Sequence, residues 1–258
     1  MSGAISTSRA NGVATLRLTR PEKRNALDRA MYRALSAALI EGEASSGVAV
    51  HVLVGSEGVF TAGNDIADFL AGGGDADRLA DILAFVRLLP RLEKPLIAGV
   101  DGPAVGIGTT LLMHCDLVYA SDRASFSTPF LALGLVPEAA SSLLMPLRMG
   151  YARAFEMLAL GATFSAERMC EAGVVNAVVP VESLEATVAE AARALAAKPP
   201  TALAAARRLM RGDVEAVAAH SEAEARVFAE RLRSPEAAEA FRAFMEKRAP
   251  DFSRAGSG

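Results

Sequence analysis

Tryptophan is missing from this 258-residue chain, and cysteine occurs only twice. Cys115 and Cys170 lie in apolar contexts and form neither a disulfide framework nor the paired spacing of a zinc site. They are expected to be reduced core residues of a cytoplasmic protein. Histidine is scarce too. His51, His114 and His220 have no Ser or Cys nucleophile context, which argues against protease-type chemistry, and each is expected to pack or to lie on the surface. No metal constellation is visible. The formal net charge is -3, with no basic stripe interleaved with aromatics, so nucleic acid is not an expected partner. No run of about 18 apolar residues appears, so no membrane span is expected. The first residues, Met1 to Arg9, lack the apolar core of a secretion signal, and the last three, Gly256-Ser257-Gly258, are not a peroxisomal address.

What the chain has in quantity is aliphatic side chains. A hydrophobic share of 52% suits one large domain, or one domain with an appendage. Val13 to Leu18 alternates and reads as a strand. Asp28 is a plausible cap for a helix with Met31, Leu35 and Leu39 on one face. Val48 to Val54 and Leu96 to Val100 are continuous aliphatic runs, the pattern of strands buried on both faces. Helix-period segments run from Arg78 to Leu92 and from Ile107 to His114; Leu117 to Ala120 and Ala124 to Phe126 read as short strands. Such alternation predicts an α/β fold with parallel pairing. The segment from Ala71 to Asp75, with three consecutive glycines, is expected to be a flexible loop near a site entrance.

After about residue 180 the strands stop and Ala, Glu and Arg dominate four helical segments. Val217, Val227, Leu232, Phe241 and Phe244 form an apolar stripe there, which either packs on its own core or joins subunits. The expected division is a core over residues 1–197 and a C-terminal helical region over 198–258.

Two loops carry the chemistry. Gly102-Pro103-Ala104-Val105-Gly106-Ile107-Gly108 runs from a buried strand into an apolar helix. Free backbone N–H groups at that junction suit an oxygen bearing negative charge, and glycine lets a ligand approach the main chain. The alternative is glycine used only for packing. Val59-Phe60-Thr61-Ala62-Gly63-Asn64-Asp65-Ile66 follows the preceding buried strand and should reach the same sheet edge. With Leu18-Thr19-Arg20-Pro21-Glu22-Lys23-Arg24-Asn25-Ala26-Leu27, Cys115-Asp116-Leu117-Val118-Tyr119-Ala120, Ser165-Ala166-Glu167-Arg168 and Ala172-Gly173-Val174-Val175-Asn176, these phrases make most of the chain resemble the enoyl-CoA hydratase/isomerase (crotonase) superfamily.

The resemblance implies a crotonase spiral of β-β-α units with a C-terminal helical trimerisation region. It implies an acyl-CoA thioester substrate, with coenzyme A as part of that substrate and no permanently bound cofactor. A homotrimer or a dimer of trimers is the implied assembly. The thioester carbonyl is expected to accept from the main-chain N–H groups of Asn64 and Ile107. Two preorganised donors there stabilise an enolate more than the ground state. Asn64 also reads as a turn residue tolerating left-handed geometry. Lys23, Arg24 and Ala26 belong to the implied CoA-holding loop; the two cations either meet phosphates or form a solvated cluster. Ala62, Asp65, Ile66, Gly106, Thr110 and Phe130 are implied at the substrate.

Hydratases of this superfamily use two glutamates, and the matching positions here are Thr110 and Phe130. Neither is a general base near neutral pH. Glu138 remains, in Leu133-Gly134-Leu135-Val136-Pro137-Glu138-Ala139-Ala140. By its residues alone it reads first as an acid in the first turn of a helix. With the resemblance it matches the single catalytic glutamate of the Δ3,Δ2-enoyl-CoA isomerase branch, which Asn64-Asp65 and Met31-Tyr32 also resemble. Apolar surroundings should raise its pKa. Ala139-Ala140 departs from the Gly-containing pair often found after this glutamate, a change expected to narrow the pocket or alter chain-length preference. The expected activity is conversion of 3-enoyl-CoA to 2-enoyl-CoA in fatty-acid β-oxidation. The alternatives are hydration or another crotonase reaction using Asp65 or Glu138, and a catalytically quiet acyl-CoA binder.

Overall fold

The computed structural model describes residues 3–66 and 76–253. The glycine run from Ala71 to Asp75, expected to be a flexible loop, lies outside these residues. The chain opens with β1 (Ile5–Ala10) and β2 (Val13–Leu18), an antiparallel pair. β2 alternates half-buried and buried positions as its sequence requires. β1 was not legible: its side chains are exposed after Ile5, so it shows no apolar period and is held at the sheet edge by backbone pairing. Asp28 caps α1 (Arg29–Ala44), its carboxylate accepting from the Met31 amide, and Met31, Leu35 and Leu39 are buried as their spacing requires.

β3 (Val50–Val54) and β4 (Leu96–Val100) are buried at every position. α2 (Ala76–Leu88) connects them and packs on α1. β5 (Pro103–Val105) and α3 (Ile107–Thr110) follow β4, and a 3-10 turn over Leu111–His114 continues α3. β6 (Leu117–Ser121) and β7 (Ser125–Ser127) repeat the β-β step before α4 (Ser141–Met149) and α5 (Tyr151–Leu158). β8 (Phe164–Ser165), α6 (Ala166–Glu171) and β9 (Ala177–Val179) complete the spiral.

The main sheet has the order β1-β2-β3-β4-β6-β9, parallel from β2 onward. β5, β7 and β8 form a second, smaller sheet. The β4-β5 and β6-β7 steps each contribute one strand to each sheet, whereas β1 and β2 both belong to the main sheet. One large core lies between the main sheet, α1, α2 and the second sheet. α7 (Val181–Ala196) covers the opposite face of the main sheet, setting Leu184, Val188 and Ala192 on Val50, Val52, Val54 and Ile97. α8 (Pro200–Arg211), α9 (Val214–Leu232) and α10 (Pro235–Met245) follow.

The expected apolar stripe of the C-terminal helices divides. Phe241 is buried and Leu232 packs against the main core, whereas Val227 and Phe244 are exposed. Among the described residues, no helix is long and apolar enough to cross a membrane. Cys115 and Cys170 are both free; Cys115 is buried, and burial pushes its thiol up to about 12.

Candidate active site

Three loops meet at one edge of the sheets, and backbone hydrogen bonds lace them together. The Thr61 amide donates to the Pro103 carbonyl and the Val105 amide to the Thr61 carbonyl, each over 3.0 Å. Gly63 then lies so close that a Cβ there would stand 2.8 Å from the Val105 carbonyl oxygen, with φ at +86°. Only glycine fits this crossing. Gly108 is small for packing: a Cβ would meet the Thr61 methyl at 2.4 Å. Gly106 differs, because nothing lies within 4 Å of its would-be Cβ, and its φ of +56° with ψ of -118° is a glycine conformation. Its open side faces a cavity.

That cavity has a volume of about 470 Å³ and a mostly apolar wall. Ala62, Gly63, Asn64 and Ile66 line it from one loop, and Val105, Gly106 and Ile107 from the other. Phe130, Leu133 and Leu135 form another side, and Phe228, Phe241 and Phe244 close it from the C-terminal helices. Ile107 opens α3, so its amide has no carbonyl of a preceding turn to bond. The Asn64 amide has no protein acceptor among the described residues: the strand-like bridge at Asn64 uses the carbonyl of Gly63 and the amide of Asp65 with Leu27. Asn64 does not take the left-handed conformation its residue type allows. That role falls to Arg24 and Asn25, with φ of 52° and 53°.

Asn25 is the anchor of the first loop, a role the sequence did not single out. It is fully buried; its side-chain amide donates to the Val59 carbonyl over 2.7 Å and its side-chain oxygen accepts from the Arg20 amide over 2.9 Å. The Arg24 carbonyl accepts from the Ala62 amide at 3.0 Å, which brings Arg24 to the cavity wall. Lys23 is exposed and does not line the cavity. The Ala26 carbonyl accepts from Arg20. Asp65 pairs with Arg20 at 2.8 Å and is absent from the wall. An aspartate held by a guanidinium braces the loop, so Asp65 is a poor base for substrate.

Glu138 sits where Thr110 can reach it. The Thr110 hydroxyl, one turn after Ile107 on α3, donates to Glu138 Oε1. Burial pushes the Glu138 carboxyl up to about 8; the Thr110 bond opposes this shift and the nearby Glu224 carboxylate adds to it. Neither Glu138 nor Thr110, which was expected at the substrate, lines the cavity; Thr110 is fully buried behind it, three residues on from the wall residue Ile107. Tyr32 lies near the Glu138 carboxyl and bonds the other loop. It is buried, its hydroxyl donates to Asn64 Oδ1, and burial, with Glu138 nearby, keeps its own pKa well above the ordinary value. Phe85 holds the Tyr32 ring edge-on, centroids 5.5 Å apart.

The histidines have structural partners. His51 is buried with Nε2 3.0 Å from Glu43, and His220 Nε2 lies 2.8 Å from the Ser142 hydroxyl. His114, also buried, bonds the Ala139 carbonyl over 2.7 Å.

Residues 8–255 match the model of the enoyl-CoA hydratase/isomerase family. The chain belongs to this family. It is 34% identical over 252 residues to enoyl-CoA delta isomerase 2 of Rattus norvegicus, covering 95% of this chain and 64% of that protein's length. It is also 34% identical to a probable enoyl-CoA hydratase of Bacillus subtilis, over 96% of this chain and 98% of the other. A solved enoyl-CoA hydratase/isomerase from Pseudoalteromonas atlantica superimposes with a TM-score of 0.92 at 38% identity, covering 96% of this chain and 99% of that one. The crotonase fold implied by the sequence motifs is therefore the fold of this protein.

Proposed function

We propose that this family member isomerises 3-enoyl-CoA to 2-enoyl-CoA with Glu138 as its one acid–base group. The observation that carries the reading is the pairing of Glu138 with Thr110. A hydratase's first glutamate is replaced there by a hydroxyl, and that hydroxyl now orients the remaining carboxyl. Phe130 occupies the position of the second glutamate as part of the apolar wall. Among the described residues, the cavity wall therefore offers no second carboxylate to hold and deprotonate a water.

The proposed chemistry follows from this inventory. The thioester carbonyl sits between the amides of Asn64 and Ile107, with the acyl C2 facing Glu138. The carboxylate takes a C2 proton, and the electron pair moves onto the thioester oxygen, where the two amides stabilise it. The same carboxyl returns the proton to C4, and the double bond moves from C3–C4 to C2–C3. A carboxyl with a pKa of about 8 is suited to both halves, because it is a stronger base than a solvated glutamate and still gives its proton up. The resemblance to the rat isomerase supports this reading. Arg24 on the wall suits the CoA moiety, and coenzyme A arrives and leaves with the substrate. A cytoplasmic homotrimer, or a dimer of trimers, is the proposed working form.

The test is turnover of a panel of 2-enoyl and 3-enoyl thioesters by wild-type protein and by Glu138→Gln. The variant should lose conversion of 3-enoyl-CoA by about 10³-fold or more while CoA binding persists. Full activity in Glu138→Gln, or robust hydration of 2-enoyl-CoA by the wild type, overturns the assignment. Tight thioester binding without exchange of the C2 proton in D2O would mark a catalytically quiet binder.

A further inference from the structure

We propose that Glu224, reaching in from α9, is a positioning residue for Glu138: it holds the left-handed turn at Ala139–Ala140 that aims the catalytic carboxyl. The proposal rests on the isomerase reading of Glu138 and adds to it a residue 86 positions further along the chain.

Ala139 and Ala140 have φ of 57° and 56°. Consecutive non-glycine residues in this region are strained, and they persist only where the surroundings over-determine them. Both alanines are fully buried, so solvent does not hold them. Three groups do. On one side the Ala139 carbonyl accepts from His114 Nε2 over 2.7 Å. Burial depresses the His114 pKa to about 4, so the ring is neutral near pH 7 and Nε2 carries the donated hydrogen. On the other side Glu224 Oε1 accepts from the Ser142 amide at 2.8 Å and from the Ser142 hydroxyl at 2.5 Å, and the Ala140 amide faces this carboxylate and favours its ionised form.

The reason for this arrangement lies at the start of α4. A helix leaves its first amides without partners, and a Ser, Thr, Asp or Asn cap normally serves them. The cap position of α4 is Ala140, which has no side chain able to do so. Glu224 supplies the missing acceptor across 82 residues of sequence, and as an anion it also suits the positive end of the helix. It is buried at 8% exposure, a position a carboxylate rarely takes without a task of this kind. His220, one turn earlier on α9, sits 2.8 Å from the same Ser142 hydroxyl.

Position and charge reach Glu138 together. The groups facing Glu138 are the Thr110 hydroxyl on α3, Tyr32 on α1 and the carboxylate of Glu224 on α9. Those facing Glu224 are Ser142, the Ala140 amide and His220. The C-terminal helices thus do more than wall the cavity; they fix the direction of its base.

The experiment compares Glu224→Ala, Glu224→Gln and the double variant Glu224→Ala with Ala140→Gly, each in the full chain. The readouts are kcat and KM on 3-enoyl-CoA, thermal melting, and infrared titration of the Glu138 carboxyl, identified by difference against Glu138→Gln. Glu224→Ala should lower kcat about 10²-fold with KM within about threefold, because the carboxyl is misaimed while the cavity is intact. Adding glycine at 140, which adopts the turn without strain, should restore at least about tenfold of kcat. Glu224→Gln removes the charge and keeps an acceptor, so the Glu138 titration should move to lower pH and kcat should fall less than in the alanine variant.

An unchanged kcat, a loss confined to KM, or a kcat loss in folded protein that Ala140→Gly does not relieve overturns the proposal. If Glu224→Ala does not fold, the glutamine variant decides: a Glu138 titration and kcat equal to wild type overturn it. The infrared titration reads Glu138 whatever reaction it serves. The expected titration shift in Glu224→Gln, found beside wild-type protein that converts no 3-enoyl-CoA, therefore overturns the isomerase reading alone.

Discussion

Single residues decide what the cavity can do. Glu138 is the clearest, because its carboxyl is raised to about 8 and must be ionised to take a proton. The kcat/KM of the free enzyme should therefore rise with pH and level off above an inflection near 8, measurable with a 3-enoyl thioester in a series of buffers. The same shift acts on stability. The folded carboxyl binds its proton more tightly than the unfolded one, whose ordinary value is 4.5, so the folded state holds extra protons between about 4.5 and 8. Stability associated with this group is present below that window and is lost as pH rises through it. Glu138→Gln should then melt on the order of 10 °C above wild type at pH 9 and level with it at pH 4.5, by calorimetry. Gly106 is the other decisive residue. Alanine there would force φ of +56° with ψ of -118° on a residue with a Cβ, and would push that Cβ toward the cavity beside Ile107. Disturbing one oxyanion donor costs about 10²–10³ in kcat, so Gly106→Ala should lose that much with the fold retained, as steady-state kinetics and circular dichroism will show.

At the scale of elements, the strands are held by tight contacts that glycine makes possible. α1 packs on β3 at Gly42, where a Cβ would stand 2.3 Å from His51 Cε1. His51 cannot retreat, since it is fully buried with Nε2 on Glu43, whose carboxylate also accepts from the amides of Glu93 and Lys94. Those bonds hold the Glu43 carboxyl below its usual range despite its burial. Gly42→Ala should therefore destabilise the protein by about 1–3 kcal/mol, read from the denaturation midpoint in urea. Helix starts tell a related story. α1, α6, α9 and α10 carry their own side-chain caps at Asp28, Ser165, Asp213 and Ser234. α4 has none, and it is the helix that follows Glu138.

For the whole molecule, the question is what covers the apolar surface that remains. The C-terminal stripe, expected either to pack on the protein's own core or to join subunits, is partly spent on that core through Leu232 and Phe241. Elsewhere Leu147, Tyr151, Phe155 and Leu160, on and beside α4 and α5, are 74%, 71%, 55% and 77% exposed. Large side chains grouped in this way mark a contact surface. The protein should sediment as a trimer or a multiple of it, and Tyr151→Glu with Leu160→Glu should release smaller species in analytical ultracentrifugation. Sedimentation of the wild type as a monomer would remove the proposed assembly.

The sequence by itself determined the parts of this protein that depend on neighbours along the chain. The aliphatic runs placed the buried strands within two residues, Asp28 placed the start of α1, and the two glycine-bearing loops pointed to one sheet edge. Thr110 and Phe130 directed attention to Glu138. Glycine conformation, strand burial and helix capping are local, so a linear reading reaches them. Only the tertiary structure decided the rest. β1 pairs through its backbone and carries no apolar period. Asp65 is neutralised by an arginine 45 residues away. Tyr32 meets Asn64, and Glu224 meets the turn after Glu138, across spans that no spacing rule covers. Burying a carboxylate or forcing two alanines into a left-handed turn is unfavourable on its own. The fold makes both tolerable by bringing distant donors and acceptors to them, and that compensation exists only once the chain has closed on itself.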